Sequence, residues 1–274
     1  MVTWDGAPLI AVEWRDEFAA PQSGNEPPEA IAAAIRQGWE LAQRQQLPLT
    51  VALLRPASTP PQSGDEIDRA SEAAWAQMDR WLEAAVPGIT ARAVVRTGDP
   101  LAEIVDELRQ SDEPACLLVP ASSSQLIASA RSLVEQTSAP VWFRPQPADM
   151  PIFLFPCPAG SDLAPVLSAA VPLTRDLSGR LLLGSAIAPD ASDADREQRT
   201  GEIARTLYQF DYRTIAGGVK IEVVPGDLAA LVRELRTREA VQTVAWPDVA
   251  ELPAPWSEFG DGSVWFARRG GVLV

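Results

Sequence analysis

The stretch "VVRTGDPLAEIVDELRQ", residues 94–110, occurs a second time in the chain in a closely similar form. The second copy is "EVVPGDLAALVRELRT", residues 222–237, and its Gly-Asp pair follows the first by 128 positions. Once Pro100 is skipped, apolar positions align with apolar positions, and Glu-Leu-Arg aligns with Glu-Leu-Arg. A period of this length is too long for a solenoid unit and fits the repetition of a whole domain.

The repeated stretch has the pattern of a strand, a turn and a helix. "ITARAVVRT" is rich in β-branched residues and alternates, Gly98 and Asp99 interrupt it, and apolar residues then recur at helical spacing. We expect Asp99 to be the N-cap of that helix and Pro100 its first residue, since both preferences are strong at these positions.

The residues around the first copy alternate regularly between strand and helix patterns. Five strands are predicted, at "PLIAVEW", "LPLTVALL", "ITARAVVRT", "ACLLVP" and "PVWFRP". Four helices separate them, at "PPEAIAAAIRQGWELAQRQQ", "DEIDRASEAAWAQMDRWLEAAV", the helical part of the repeated stretch and "SQLIASARSLVEQT". The repeated stretch is called the echo below. Such an alternation predicts right-handed crossovers and a parallel sheet covered on both faces.

A reduced version of this order surrounds the second copy. Strands are predicted at "PIFLF", "GRLLLGSAI", "GVKIEVVP", "AVQTVAW" and "SVWFARR". We predict that Pro165 interrupts a short first helix, and that Pro253 and Pro255 exclude a fourth, because proline costs a helix interior about 3 kcal/mol. The fold class is therefore α/β, with two Rossmann-like doubly wound parallel-sheet domains, residues 1–146 and 151–274, of which the second is reduced.

Composition narrows the classes of function. The 274 residues carry a formal net charge of −14 and no histidine. The negative charge disfavours nucleic acid and anionic membranes, and the missing histidine removes the commonest general base and metal ligand. Two cysteines form no metal-binding spacing, and no apolar run is long enough to cross a bilayer. We therefore expect a cytoplasmic protein that is not an enzyme and binds no metal.

The tryptophans suggest where the core lies. Trp39, Trp75 and Trp81 fall in helical patterns, and we predict that all three are buried. Trp246, Trp256 and Trp265 follow in the final part of the chain, where burial is the preferred interpretation and a partner-binding role is the alternative.

The first half of the chain resembles a universal stress protein domain. The resemblance rests on "VVRTGDPLAEIVDEL", then "ACLLVPASSS", then "LIASARSLVEQTSAPVWFRP", and on the order of the five strands. It extends over residues 8–145 and, more weakly, over residues 151–269. The resemblance implies a sheet of the adenine nucleotide alpha hydrolase type, with a nucleotide bound where strands one and four separate.

The resemblance also indicates cleft positions. An acidic residue that ends strand one contacts the nucleotide in this family, and Glu13 stands there. The family's phosphate loop has Gly, two residues, Gly, nine residues, then Gly-Ser or Gly-Thr, but Ala121 and Ser124 replace the first two glycines. The remaining cleft positions are Gly98 in the turn of the echo and Ser122 in the serine loop, residues 122–124. These serines could donate to an anion, and we expect them instead to cap the following helix.

Three functions remain open. The first is a non-enzymatic regulatory protein of stress-response type, with no cofactor and a degraded ATP-binding motif, that acts on an unidentified protein partner. The second is a protein that binds ATP or AMP through its serine loop. The third is an enzyme of the wider superfamily. It is disfavoured because the sequence has neither the Ser-Gly-Gly-x-Asp-Ser loop nor the His-x-Gly-His motif of that superfamily. The segment "CPAGSD", residues 157–162, is only a distant echo of that loop and is predicted to be a turn and an N-cap.

A second echo concerns assembly. Val-Trp-Phe occurs at residues 141–143 and again at residues 264–266, in the last predicted strand of each half. Universal stress proteins pair through this strand, and an unpaired apolar edge strand promotes aggregation. The resemblance therefore implies a pseudo-dimer of the two halves within one chain. Further pairing into a homodimer is the weaker expectation.

Overall fold

A computed structural model describes residues 7–15, 18, 26–57, 64–110, 116–137, 139–146, 148–246 and 263–266. The chain divides into two compact units, Thr3–Pro147 and Ala148–Val274, called here the N-terminal and C-terminal units. The loop predicted in place of a fourth helix in the second half lies outside the described residues, as does Trp256.

The N-terminal unit alternates strands and helices as the sequence predicts. Its strands are β1 (Leu9–Glu13), β2 (Leu49–Arg55), β3 (Ala91–Thr97), β4 (Leu117–Val119) and β5 (Val141–Phe143). Its helices are α1 (Glu29–Gln45), α2 (Gly64–Ala85), α3 (Pro100–Gln110), α4 (Ser124–Ala128) and α5 (Ala130–Gln136). The strands are all parallel and lie in the order β3-β2-β1-β4-β5.

Helices cover both faces of these strands. Gly38 of α1 packs against Ile10, so closely that a Cβ at Gly38 would lie 3.1 Å from the Ile10 side chain. Glu107 of α3 forms an ion pair with Arg96 of β3, at 2.5 Å. Ile10 lies opposite Val51, and Val51 lies opposite Ala93, so these three side chains point to the same face of the sheet. Arg96 follows Ala93 by three positions, an odd number, so its side chain points to the opposite face. The sheet is therefore doubly wound.

The C-terminal unit repeats this strand order. Its strands are β6 (Ile152–Pro156), β7 (Arg180–Ile187), β8 (Val219–Pro225), β9 (Thr243–Trp246) and β10 (Ser263–Phe266), and its helices are α6 (Leu163–Asp176), α7 (Asp193–Leu207) and α8 (Leu228–Arg238). The five strands pair in parallel in the order β10-β9-β6-β7-β8. The first strand of the unit therefore lies between its second and fourth strands, as β1 does in the N-terminal unit.

The echo is a strand followed by a capped helix in both units. Asp99 accepts a hydrogen bond from Ala102 N–H at 2.9 Å, and Asp227 accepts one from Ala230 N–H at 2.8 Å. Each carboxylate satisfies one of the amide groups that a helix leaves unpaired at its start. The predicted cap at Asp99 and the predicted helix start at Pro100 are thus confirmed.

Replacing either cap with alanine should destabilise the protein. We expect Asp99→Ala and Asp227→Ala each to lower the free energy of unfolding by about 1 kcal/mol, the usual value of an aspartate N-cap. Urea unfolding measures the change. Asp79→Ala is the matched control, because Asp79 is exposed within α2 and should be neutral within about 0.5 kcal/mol. Equal effects of all three substitutions would contradict the capping role.

Three predictions about helix bounds and buried tryptophans are wrong. The helix predicted at "SQLIASARSLVEQT" is divided at Ser129, whose φ of −95° and ψ of 16° end α4. The helix α6 is not interrupted at Pro165, because this proline lies in the first turn, where no intrahelical donor is needed. Trp75 is 38% exposed instead of buried, because it lies on the outer side of α2, and Trp39 is only half-buried. Trp81 is buried as predicted, at 1% exposure.

Candidate functional site

The candidate site is the crevice between β1 and β4 of the N-terminal unit. These strands are paired only at Leu9 with Leu117 and at Ile10 with Leu118. Beyond Ile10 the two strands separate. The strand order reverses between them, because the chain continues from β1 to β2 on one side and from β4 to β5 on the opposite side. Open parallel sheets bind ligands at such a reversal, outside the carboxyl ends of the strands.

Glu13 ends β1 at this crevice and is only 5% exposed. Its carboxylate oxygen Oε1 accepts a hydrogen bond from the backbone N–H of Leu126, in the first turn of α4, at 2.5 Å. A buried carboxylate therefore occupies the start of the helix, where the unpaired amides and the positive end of the helix dipole would otherwise face an anionic ligand. The five residues of α4 also align only a few peptide dipoles.

The serine loop is fastened to the end of β1. Ser123 Oγ accepts a hydrogen bond from Glu13 N–H at 3.1 Å and donates one to the carbonyl of Ala11 at 3.2 Å. Arg15 Nη2 donates to the carbonyl of Ser122 at 3.0 Å. The chain itself thus closes the crevice with hydrogen bonds between β1 and the loop that follows β4.

The predicted capping of α4 by its serines is wrong. Ser123 is the N-cap residue but makes no side-chain cap hydrogen bond, because its hydroxyl is committed to β1. Glu13, far away in the sequence, provides the cap instead. Ser124 and Ala121 are exposed, while Ser122 Oγ is buried and has no hydrogen-bond partner.

Gly98 lies apart from the other predicted cleft positions. It follows β3, two strands from β1, and its N–H donates to the carbonyl of Arg55 at 2.9 Å. A Cβ at this position would collide with the Glu103 side chain. The structure therefore brings Glu13 together with the serine loop and leaves Gly98 in the turn that connects β3 to α3.

The corresponding strand end of the C-terminal unit contains an arginine. Pro156 stands opposite Gly184 of the second strand, as Glu13 stands opposite Leu54, so proline replaces the acidic residue. Arg199 of α7 reaches this strand end and is 8% exposed. Its Nη2 donates to the carbonyl of Pro158 at 2.7 Å, and its Nε donates to Ser185 Oγ at 3.0 Å.

The hydrogen bonds around Arg199 form a closed network. Ser185 Oγ donates to the carbonyl of Cys157 at 2.6 Å, and Arg199 Nη1 contacts Glu202 Oε2 at 3.2 Å. Hydrogen bonds from Gln198 and then from Arg199 hold the pKa of the Glu202 carboxyl below its usual range. No sequence pattern predicts Arg199, because it has no local signature and is one of several charged residues in α7.

Within the described ranges, no group of three or more His, Cys, Asp or Glu residues could hold a metal ion. Among the helices that the structure describes, none is both long and apolar enough to cross a membrane.

Comparison with known proteins identifies the fold. No family model matches the sequence, and no curated protein matches it. A universal stress protein from Archaeoglobus fulgidus superposes with a TM-score of 0.63, at 13% identity, covering 97% of this chain and 100% of its own. The chain has the universal stress protein fold.

Two structures from Pseudomonas aeruginosa agree with this assignment. A putative universal stress protein has a TM-score of 0.55 at 13% identity, covering 96% of this chain and 94% of its own. A functionally unknown protein has a TM-score of 0.56 at 12% identity, covering 96% of this chain and 93% of its own. The prediction of fold class is confirmed over nearly the whole chain.

Proposed function

We propose that this protein is a non-enzymatic regulatory protein of the universal stress protein type that takes part in a stress response without binding ATP. It acts through contacts with a protein partner. The observation that carries the proposal is the hydrogen bond from Leu126 N–H to the Glu13 carboxylate. This carboxylate places an anion of the chain itself where the resemblance to universal stress proteins implies a bound phosphate.

Electrostatics and backbone geometry both oppose a nucleotide in this crevice. A triphosphate would have to displace the Glu13 carboxylate from its amide donor or lie beside it, and like charges at short range repel strongly in a partly buried site. The loop after β4 has no glycine to let its amides approach a phosphate. The net charge of −14 adds a long-range repulsion.

The C-terminal unit supports the same conclusion in a different way. Arg199 is positively charged and could attract an anion, but its donors are already engaged by Ser185 and by the carbonyls of Cys157 and Pro158. A ligand would have to replace these buried hydrogen bonds, each of which costs free energy to leave unmade.

Calorimetric titration tests the proposal. We expect ATP, ADP and AMP to bind the full-length protein with dissociation constants weaker than about 10 μM, equivalent to about −7 kcal/mol. Tighter binding of any of the three would overturn the proposed function. We further expect Glu13→Gln to bind ATP at least tenfold more tightly than the natural chain, because the substitution removes the competing charge.

The matched control is Asp227→Asn, which neutralises a carboxylate at the start of α8 in the C-terminal unit. It should leave ATP affinity unchanged. If the two variants gain affinity equally, the effect is a general change in charge, and Glu13 does not block the site.

A second function is favoured by one observation. Ser122 Oγ is buried without a hydrogen-bond partner next to the crevice, and a ligand oxygen could accept from it. Such a protein would bind ATP or AMP through its serine loop. Absorbance of the supernatant after denaturation detects co-purified nucleotide, and a nucleotide that is lost in Ser122→Ala would favour this alternative.

The remaining expectations belong to the same proposal. The two Val-Trp-Phe segments support an internal pseudo-dimer, since they form the fifth strand of each unit. A homodimer, a cytoplasmic location and the absence of catalytic, metal-binding and nucleic-acid-binding activity stay predictions. The absence of histidine and the net charge support the expected lack of catalytic, metal-binding and nucleic-acid-binding activity.

A further inference from the structure

Arg55 is a buried arginine with one side-chain donor, Nη1, that has no hydrogen-bond partner. It ends β2 and is 6% exposed. A buried guanidinium normally lies beside a carboxylate or another acceptor, because an uncompensated charge in a protein interior is strongly destabilising. An acceptor for Nη1 is therefore missing among the described residues.

A second buried donor without a hydrogen-bond partner, Trp81 Nε1, packs against the residue opposite Arg55 in the sheet. Trp14 N–H donates to the carbonyl of Leu54 at 2.8 Å, which in a parallel ladder sets Trp14 opposite Arg55. Residues opposite each other point to the same face of a sheet. The Trp14 ring lies 5.7 Å from the ring of Trp81 in α2, and Trp81 Nε1 is also buried without a hydrogen-bond partner.

Aromatic rings surround these donors. The ring of Phe18 lies 5.6 Å from that of Trp14 and 5.2 Å from that of Trp81. Phe18 is only half-buried, so the group opens towards solvent on this side. Trp14 and Trp81 are 2% and 1% exposed.

This group is separate from the crevice that contains Glu13. Glu13 and Trp14 are consecutive in an extended chain, so their side chains point to opposite faces of the sheet. The carboxylate of Glu13 meets α4 on one face, whereas Trp14 meets α2 on the other. A ligand beside Arg55 would therefore not compete with the hydrogen bonds that close the crevice.

We propose that Arg55, Trp81, Trp14 and Phe18 form a binding site for a small aromatic monocarboxylate. The carboxylate accepts hydrogen bonds from Arg55 Nη1 and Trp81 Nε1, and its ring packs against Trp14 and Phe18. Charge-assisted hydrogen bonds to a guanidinium are among the stronger ones in proteins, and aromatic rings attract one another at these separations. A single negative charge suits one arginine in a chain of net charge −14, whereas a polyphosphate does not.

Benzoate is the probe, with benzamide and acetate as comparisons that lack the charge or the ring. We expect benzoate to raise the melting temperature of the full-length protein in a concentration-dependent manner, as any ligand of the native state does. Benzamide and acetate should each bind more than about tenfold more weakly, because each loses one of the two interactions. Acetate that stabilises as well as benzoate would overturn the assignment of an aromatic ligand.

Two substitutions test the donors. Arg55→Met should reduce benzoate affinity more than about tenfold, and Trp81→Phe should reduce it about fivefold, because the ring is kept and only one N–H is lost. Arg92→Met is the matched control on the neighbouring strand β3, where the arginine is exposed, and it should not change the affinity. Equal affinity of Arg55→Met and the natural chain would overturn the proposal.

The free protein provides an independent measurement. If a ligand pairs with Arg55, the ligand-free Arg55→Met variant should have a higher melting temperature than the ligand-free natural chain, because the substitution removes an unpaired buried charge. A lower melting temperature would mean that Arg55 has a structural partner, and would overturn the proposal.

ATP is titrated in parallel. Nucleotide binding that survives in Arg55→Met contradicts the proposed function alone, and absence of benzoate binding contradicts the aromatic carboxylate site alone.

Discussion

Replacing Trp142 and Trp265 with aspartate in the same chain is expected to lower the free energy of unfolding by more than about 5 kcal/mol. Each indole is fully buried in the fifth strand of its unit, at 0% and 1% exposure. Loss of a buried aromatic side chain costs about 3–5 kcal/mol by itself, and an aspartate there adds an unpaired carboxylate. Thermal melting and small-angle scattering measure the outcome. A double variant with natural melting temperature and compactness would contradict the internal pairing of the two halves.

The pairing prediction needs a measurement that burial alone does not affect. A double-mutant cycle with Trp142→Leu and Trp265→Leu provides it. Side chains that share an interface should show a coupling free energy above about 0.5 kcal/mol, whereas independent sites should be additive within about that value. Trp81→Leu combined with Trp265→Leu is the matched control, since Trp81 is equally buried but belongs to α2.

Protein concentration separates pairing within one chain from pairing between two chains. A pseudo-dimer within the chain should give a melting temperature that is independent of concentration. Pairing between chains should instead make it rise with concentration, by mass action. Additivity in the first cycle would contradict both forms of pairing through these strands.

Local patterns in the sequence predict most of this fold. The alternation of apolar residues and the Gly-Asp turn place β3 and α3, and the second copy places β8 and α8, because strand period, helix period and capping are properties of neighbouring residues. The errors arise where local preference is overridden. Pro165 is harmless because it lies in the first turn of α6, a position that depends on where the helix begins.

The site was predicted less completely, because its contacts join residues far apart in the chain. The sequence places Glu13 at the end of β1 and a serine loop after β4. It does not indicate that the carboxylate caps α4, a contact that spans 113 positions. Ser123 was expected to cap its own helix, and only the approach of β1 diverts its hydroxyl. Arg199 and Arg55 have no periodic or motif signature, so their burial was visible only in the structure.

Replacing Arg199 with alanine is expected to destabilise the C-terminal unit by about 3 kcal/mol, the second largest effect of the substitutions considered. The substitution leaves the buried hydroxyl of Ser185 without a donor, and it removes one of the donors to the carbonyls of Cys157 and Pro158. Hydrogen bonds to a charged group contribute more than neutral ones, and an unsatisfied buried acceptor has a cost of its own. Arg199→Lys should fall between alanine and the natural chain, because an ammonium keeps the charge but loses the planar fork.

Urea unfolding measures the size of the effect, and hydrogen exchange shows where it occurs. Peptides from β6 and β7 should lose protection in Arg199→Ala, while those from β1 and β2 should keep it. The reason is that every hydrogen bond described for the Arg199 side chain is with a residue of the C-terminal unit. Arg196→Ala is the matched control on the same helix, because Arg196 is 46% exposed and its contact with Asp193 is long, at 3.9 Å. If both alanine variants are equally stable, the hydrogen bonds of Arg199 do not stabilise this strand end.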